Sequence, residues 1–152
     1  MDPTAGSAAG LERFLKAQEP VYPTVLDELR DGRKRSHWMW FIFPQLSGLG
    51  FSATARHYAI RGKEEAADYL RHPVLGARLR ECTQTVLQWE GRSLAAFFGY
   101  PDDLKFRSCM TLFAQVAPAG SVFEQALQKL CQGEADTLTL ELLKKRSDPI
   151  FR

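Results

Sequence analysis

The sequence predicts an all-α, single-domain protein, a compact bundle of about seven to nine short helices. Three observations carry that expectation. Apolar residues recur at three- and four-residue spacings along most of the chain. Serine, proline and glycine fall where those stripes begin and end. No series of alternating strands separates the helical segments, which removes support for the α/β classes.

Residues 1–10 are small and polar and read as a disordered tail rather than a secretory signal. The folded domain is expected over 11–146, with a short C-terminal tail at 147–152. Leu11, Phe14 and Leu15 open a first helix that extends through Ala17 and Gln18, before Pro20 and Pro23 interrupt it. Val25, Leu26 and Leu29 make a second stripe, closed by Asp31–Gly32. The run from Trp38 to Phe43 is apolar on every face, so periodicity does not choose between a buried helix and a buried strand.

Beyond Pro44 and a glycine-rich loop, Ser52 is a natural N-cap for a helix through Ile60. Glu64 to Leu70 reads as another short helix, and Pro73 suits the first position of the next. Val74, Leu75, Leu79, Cys82, Val86 and Trp89 give that helix a long apolar stripe. Ser93 caps a short helix through Phe98, and Asp102 or Asp103 suits the cap of a core helix through Ala117. Ser121 caps Val122 to Cys131, and a last helix runs from Asp136 or Thr137 through Lys145.

Composition narrows the partner classes. A chain of 152 residues supports one substantial core without disulfide or metal. A formal net charge of +2 disfavours duplex DNA, which calls for a strongly basic domain or stripe. The cysteines, Cys82, Cys109 and Cys131, are odd in number and form no C-x-x-C pair, so no zinc knuckle or disulfide framework is expected, and a cytoplasmic setting fits. No run is long and apolar enough to predict a membrane span. His37, His57 and His72 stand apart without metal-ligand spacing, and no phosphate loop, dinucleotide fingerprint or nucleophile elbow is present, so neither metal nor cofactor is expected.

The candidate chemistry concentrates in Arg33-Lys34-Arg35-Ser36-His37 followed by Trp38 and Trp40. Cationic side chains beside a hydroxyl suit phosphate, and an aromatic face suits a base or nicotinamide ring. The plainer alternative is a solvated basic turn leading into a core segment. Ser52, Ala55 and Arg56 share a helix face, with Tyr58 just beyond; here too a surface helix with Tyr58 turned inward competes with a ligand role. Lys105 and Arg107 follow the acidic pair Asp102–Asp103, where they can pair with those acids or bind an anion. Paired-carboxylate hydrolysis would need Glu64, Glu65, Asp102 and Asp103 to converge in space.

Leu11-Glu12-Arg13-Phe14, the run Gly32 to Gln45, Tyr69-Leu70-Arg71-His72-Pro73-Val74-Leu75-Gly76 and Asp102 to Ser108 together resemble the bacterial domain-of-unknown-function family numbered 1810. The likeness spans about residues 11 to 144 and implies a small all-helical cytosolic fold with no established activity. The order of elements also resembles the NADAR group of helical N-glycosidases, which act on ADP-ribose-type or riboflavin-precursor substrates, although their acidic catalytic positions align with no particular residue here.

The expected function is therefore binding, with hydrolysis of an N-glycoside as its enzymatic extension, of a phosphate-bearing nucleotide-like small molecule. Arg33, Lys34, Arg35, Ser36, Trp38, Trp40, Gln45, Arg56, Tyr58, Lys105 and Arg107 are the candidate ligand residues. His37 is the candidate acid or base, because imidazole titrates near neutrality. The alternative is a non-catalytic module that meets an acidic protein or single-stranded nucleic acid; no particular protein partner is indicated.

Overall fold

Local chemistry starts several of the helices as the sequence predicts. Ser52, Ser93 and Ser121 each adopt extended backbone ahead of an apolar stripe. Each hydroxyl accepts the amide three residues on, from Ala55 at 3.1 Å, Ala96 at 3.1 Å and Glu124 at 3.3 Å. The computed structural model describes residues 3–147, so residues 1–2 and 148–152 of the two expected tails lie outside the described residues.

Among the described residues the elements are α1 (Pro3–Gln18), α2 (Tyr22–Arg30), α3 (Met39–Ile42), α4 (Ala53–His57), α5 (Lys63–Arg71), α6 (Leu75–Leu87), α7 (Leu94–Phe98), α8 (Asp102–Ala114), α9 (Val122–Leu130) and α10 (Thr137–Ser147). The fold is all-helical, and its only strand-like feature among these residues is a single parallel bridge between Leu46 and Ile60. The undecided Trp38–Phe43 segment supplies α3, one helical turn, which takes the total just past the number expected.

Two helix starts differ from expectation in their chemistry. His72 accepts the amides of Val74 and Leu75 on its Nδ1 at 3.1 and 3.2 Å, and its carbonyl accepts Gly76 N–H at 3.0 Å. An imidazole therefore caps the turn that leads into α6, and Pro73 sits just inside it. Asp102 and Asp103 do not cap α8: they occupy its first turn, and the cap position falls to Pro101, whose side chain offers no acceptor. The Tyr100–Pro101 peptide is cis. Both acids still face the positive end of the helix dipole.

The core is built around α8, which packs against α5, α7, α9 and α10. Its Phe106, Cys109, Met110, Leu112 and Phe113 are fully buried. One aromatic chain runs from Phe14 through Tyr69 and Phe113 to Phe123, with ring centroids 5.1, 5.4 and 5.8 Å apart. A second cluster joins Phe43, Phe98 and Phe106 at 5.0 to 5.8 Å. Each fully buried phenylalanine stabilises the fold by about 1.5–3 kcal/mol.

Several polar groups buried in this core pair with one another or with backbone. Gln18 Nε2 donates to Phe41 O at 2.8 Å and lies 3.1 Å from Tyr69 Oη, so α1, α3 and α5 share one polar contact. Ser108 and Thr111 bond back to the carbonyls of Leu104 and Arg107. Cys82, Cys109 and Cys131 are free and buried. No helix among the described residues is long and apolar enough to cross a membrane.

Candidate functional site

The basic loop is organised from beneath by a carboxylate. Glu28 lies on the buried face of α2 with Val25 and Leu29. Its Oε1 accepts Arg35 N–H at 2.7 Å, Ser36 N–H at 3.0 Å and Trp38 Nε1–H at 2.9 Å, while Oε2 accepts the Ser36 hydroxyl at 2.5 Å. Burial works to raise the Glu28 pKa, but these donors outweigh it and hold the carboxyl below its ordinary value. The residue stays ionised and fixes the loop.

This geometry assigns parts to the loop residues. Trp38 is 2% exposed, and its indole N–H is committed to Glu28. Ser36 spends its hydroxyl on the same carboxylate. Lys34 Nζ sits 2.9 Å from Asp102 and 5.2 Å from the Trp38 ring, and the Lys34 amide donates to Phe97 O at 2.8 Å, so this residue ties the loop to α7 and α8. Arg33, Arg35 and His37 are exposed, with Arg35 paired to Asp31 at 3.1 Å. None of these six lines the cleft described next.

Trp40, Gln45 and Lys105 do come together. They line an open cleft of about 420 Å³ between α3, the N-terminal end of α4 and the first turns of α8, with Ser108 and Asp136 also on its wall. That volume lies in the range of small-molecule sites. Pro44 ends α3 and turns the chain, and the backbone around Gln45 is then fixed by the bridge: Ile60 N–H donates to Gln45 O and Ser47 N–H to Ile60 O, both at 2.8 Å. Lys105 Nζ stands 5.1 Å from the Trp40 ring centroid and 3.3 Å from Asp102 Oδ1. An aromatic face, a cation and a side-chain amide thus share one wall.

Asp136 is the cleft's carboxylate, and it is partly committed. Its Oδ2 accepts the Thr139 amide at 3.0 Å and the Thr139 hydroxyl at 2.5 Å, which caps α10, while its own amide donates to Thr111 Oγ1 at 2.8 Å. Exposed Phe51 and Leu104 form part of the rim, at 77% and 45% accessibility.

The other candidates fall elsewhere. Ser52 and Ala55 reach the cleft, but Arg56 lines a separate groove with Arg13, His57 and Arg61. Tyr58 packs inward against Phe41 and Phe14, with centroids 5.4 and 5.9 Å away. Arg107 lines a second cleft beside Asp103, which shares only Leu104 with the first. The four acids do not act as one group: Glu65 pairs with Arg13 at 2.9 Å, whereas Asp102 pairs with Lys34 and Lys105. Among the described residues, no three His, Cys, Asp or Glu side chains gather as a metal site would require.

Sequence reasoning missed Glu28 and Asp136. Glu28 had a signal, since an acid at three-residue spacing from Val25 and next to Leu29 falls on an apolar face and must find donors there. Asp136 reads as a plain helix start, and nothing in its neighbours points to the cleft.

A comparison with curated proteins finds no match. Among solved structures, the conserved hypothetical protein Rv1873 from Mycobacterium tuberculosis is similar, with 54% identity, a TM-score of 0.86, and 88% of this chain and 96% of that chain covered. The family model described as a protein of unknown function, DUF1810, matches residues 8–143, and the chain belongs to that family.

Proposed function

We propose that this chain binds a phosphate-bearing, nucleotide-like small molecule in the Trp40–Lys105 cleft. The observation that carries the reading is the convergence of an aromatic ring and an ammonium group 5.1 Å apart on the wall of a cleft sized for a small molecule. In this reading Trp40 stacks on the ring of the ligand, Lys105 meets its phosphate, and Gln45 and Ser52 supply orienting hydrogen bonds.

Binding is better supported than turnover. An N-glycosidase needs a carboxylate to stabilise developing positive charge on the sugar or to activate water. Asp136 is the acid in the cleft, and one of its oxygens already caps α10. Hydrolysis of ADP-ribose-type or other N-glycosides is therefore the extension to test, with Asp136 in the role first given to His37.

The experiment is a thermal-shift panel of ADP-ribose, NAD, mononucleotides, riboflavin precursors and short RNA. A ligand at one hundred times its Kd adds about 2.7 kcal/mol, which for this size raises Tm by about 5–10 °C. The expected result is a shift with a nucleotide-like ligand that Trp40→Ala and Lys105→Ala abolish. A shift that survives both substitutions rejects the cleft assignment.

A second reading draws on Arg33, Arg35 and His37, which stand exposed on a loop held rigid by Glu28. Such a loop suits an acidic protein surface or a single-stranded polyanion. Affinity for short RNA that falls linearly with log salt and depends on Arg33 and Arg35, but not on Trp40, would favour it.

A further inference from the structure

The chemistry on the other side of α8 is of a different kind. A cleft of about 420 Å³ opens where α7, α8 and the C-terminal end of α9 meet, and Arg92, Asp103, Arg107 and Lys129 line it. Two buried side-chain atoms among the described residues have no hydrogen-bond partner, Asp103 Oδ1 and Arg107 Nε, and both residues belong to this one cleft. They lie one turn apart on the same face of α8, yet the two atoms do not satisfy one another. A buried donor and a buried acceptor without partners each cost stability, and native proteins hold few of them.

The charges around the pair define what the cleft can hold. Three cations, Arg92, Arg107 and Lys129, line the cleft with one carboxylate, so it favours an anion. Arg92 is anchored by its bond to Gly32 O at 2.9 Å and by its position over the Trp89 ring, and Arg107 lies against the Cys131 thiol, so both guanidinium groups are held in place. Asp103 repels a fully deprotonated anion but accepts from one that carries its own hydroxyl. The ligand must offer oxygens to Arg107 and an O–H to Asp103 together.

We infer that this second cleft binds a phosphate group bearing a proton, free or as a small monoester, with the Arg107 guanidinium donating to phosphate oxygens and the Asp103 carboxylate accepting the P–OH. A monoester titrates near pH 6, so the protonated form is accessible close to neutrality. Sulfate has the same shape and size but carries no proton at that pH. The carboxylate therefore selects phosphate over sulfate, because a site built to accept a hydroxyl leaves its acceptor unpaired and repelled when the hydroxyl is missing.

The test is calorimetric titration of the full chain with inorganic phosphate, glycerol phosphate and sulfate at matched ionic strength. Saturable phosphate or monoester binding is expected, with sulfate weaker by at least about tenfold. The tighter of the two phosphate forms identifies the source. Asp103→Asn, nearly isosteric, is expected to bring sulfate up towards phosphate, and Arg107→Lys to weaken every anion. No saturable phosphate binding overturns the inference, as does equal affinity for sulfate or unchanged selectivity in Asp103→Asn. Should Arg107→Lys fail to fold by circular dichroism, the wild-type selectivity and Asp103→Asn still decide.

Discussion

Trp38 Nε1 donates to Glu28 Oε1 at 2.9 Å, and the same oxygen receives the backbone amides of Arg35 and Ser36. One buried carboxylate thus joins α2, the basic loop and the first turn towards α3. The tryptophan does two things here: it fills space against Phe43, with centroids 6.2 Å apart, and it satisfies a charge. The two are separable. Trp38→Phe keeps most of the volume but removes a charge-assisted bond, which should cost about 1.5–3 kcal/mol. Trp38→Ala also opens a cavity and should cost about 3–5 kcal/mol. Urea denaturation of the two variants checks this, and a Trp38→Phe variant as stable as the parent would show that the bond contributes nothing.

The acid limb of the stability curve should carry the signature of Glu28. Its pKa is lowered in the folded protein relative to about 4.3 in the unfolded chain. The stabilisation is therefore fully present above the unfolded value and is lost as pH falls through the folded one. Glu28→Gln cannot titrate and should be less stable than the parent at pH 7, with a gap that narrows as pH falls below the unfolded value and through the lowered folded one. A gap independent of pH would mean that the donors read only the shape of the group and not its charge.

These two residues also mark the limit of what the sequence shows. The serine caps and the apolar stripes are local, so Ser52, Ser93 and Ser121 and the helices behind them were legible. Trp38 and Trp40 were not separable, because a run apolar on every face has no periodicity to say which ring meets the core. A single turn of helix then turns one inward beside Glu28 and leaves the other half-buried at a cleft. The basic cluster looked like a phosphate site because its counter-charges, Glu28 and Asp102, arrive from elsewhere in the chain. The partners of Lys105 were nearer, and of that group it is Lys105 that reaches the cleft.

The α5–α6 corner depends on the absence of a side chain. A Cβ on Gly76 would stand 2.1 Å from the Leu70 carbonyl oxygen, well inside contact distance. The obstacle is backbone, which cannot rotate aside, so Gly76→Ala must push the two helices apart. Overpacking of this kind costs about 1–3 kcal/mol or more. The expected result is a Tm lower by several degrees. Gly62→Ala, with nothing within 4 Å of the added carbon, serves as the reference. Equal Tm values for the two variants would refute the close approach.

The three cysteines should resist thiol reagents in the native protein, and in a definite order. Burial pushes the Cys82 thiol up to about 12 and raises Cys109 well above its ordinary value. Burial raises Cys131 too, but the Arg107 guanidinium works against it. The thiolate is the nucleophile, so at pH 8 a thiol of pKa 12 is ionised in only about one molecule in ten thousand. Native protein should therefore show almost no labelling by an aromatic disulfide over minutes, with all three sites reacting in denaturant. In mild urea, where helices open locally, Cys131 at the end of α9 should be labelled first and Cys109 in the middle of α8 last. Mass spectrometry of the digested protein reads the order directly. Early labelling of Cys109 would mean that α8 is not the last helix to open, and the core would have to be assigned to another centre.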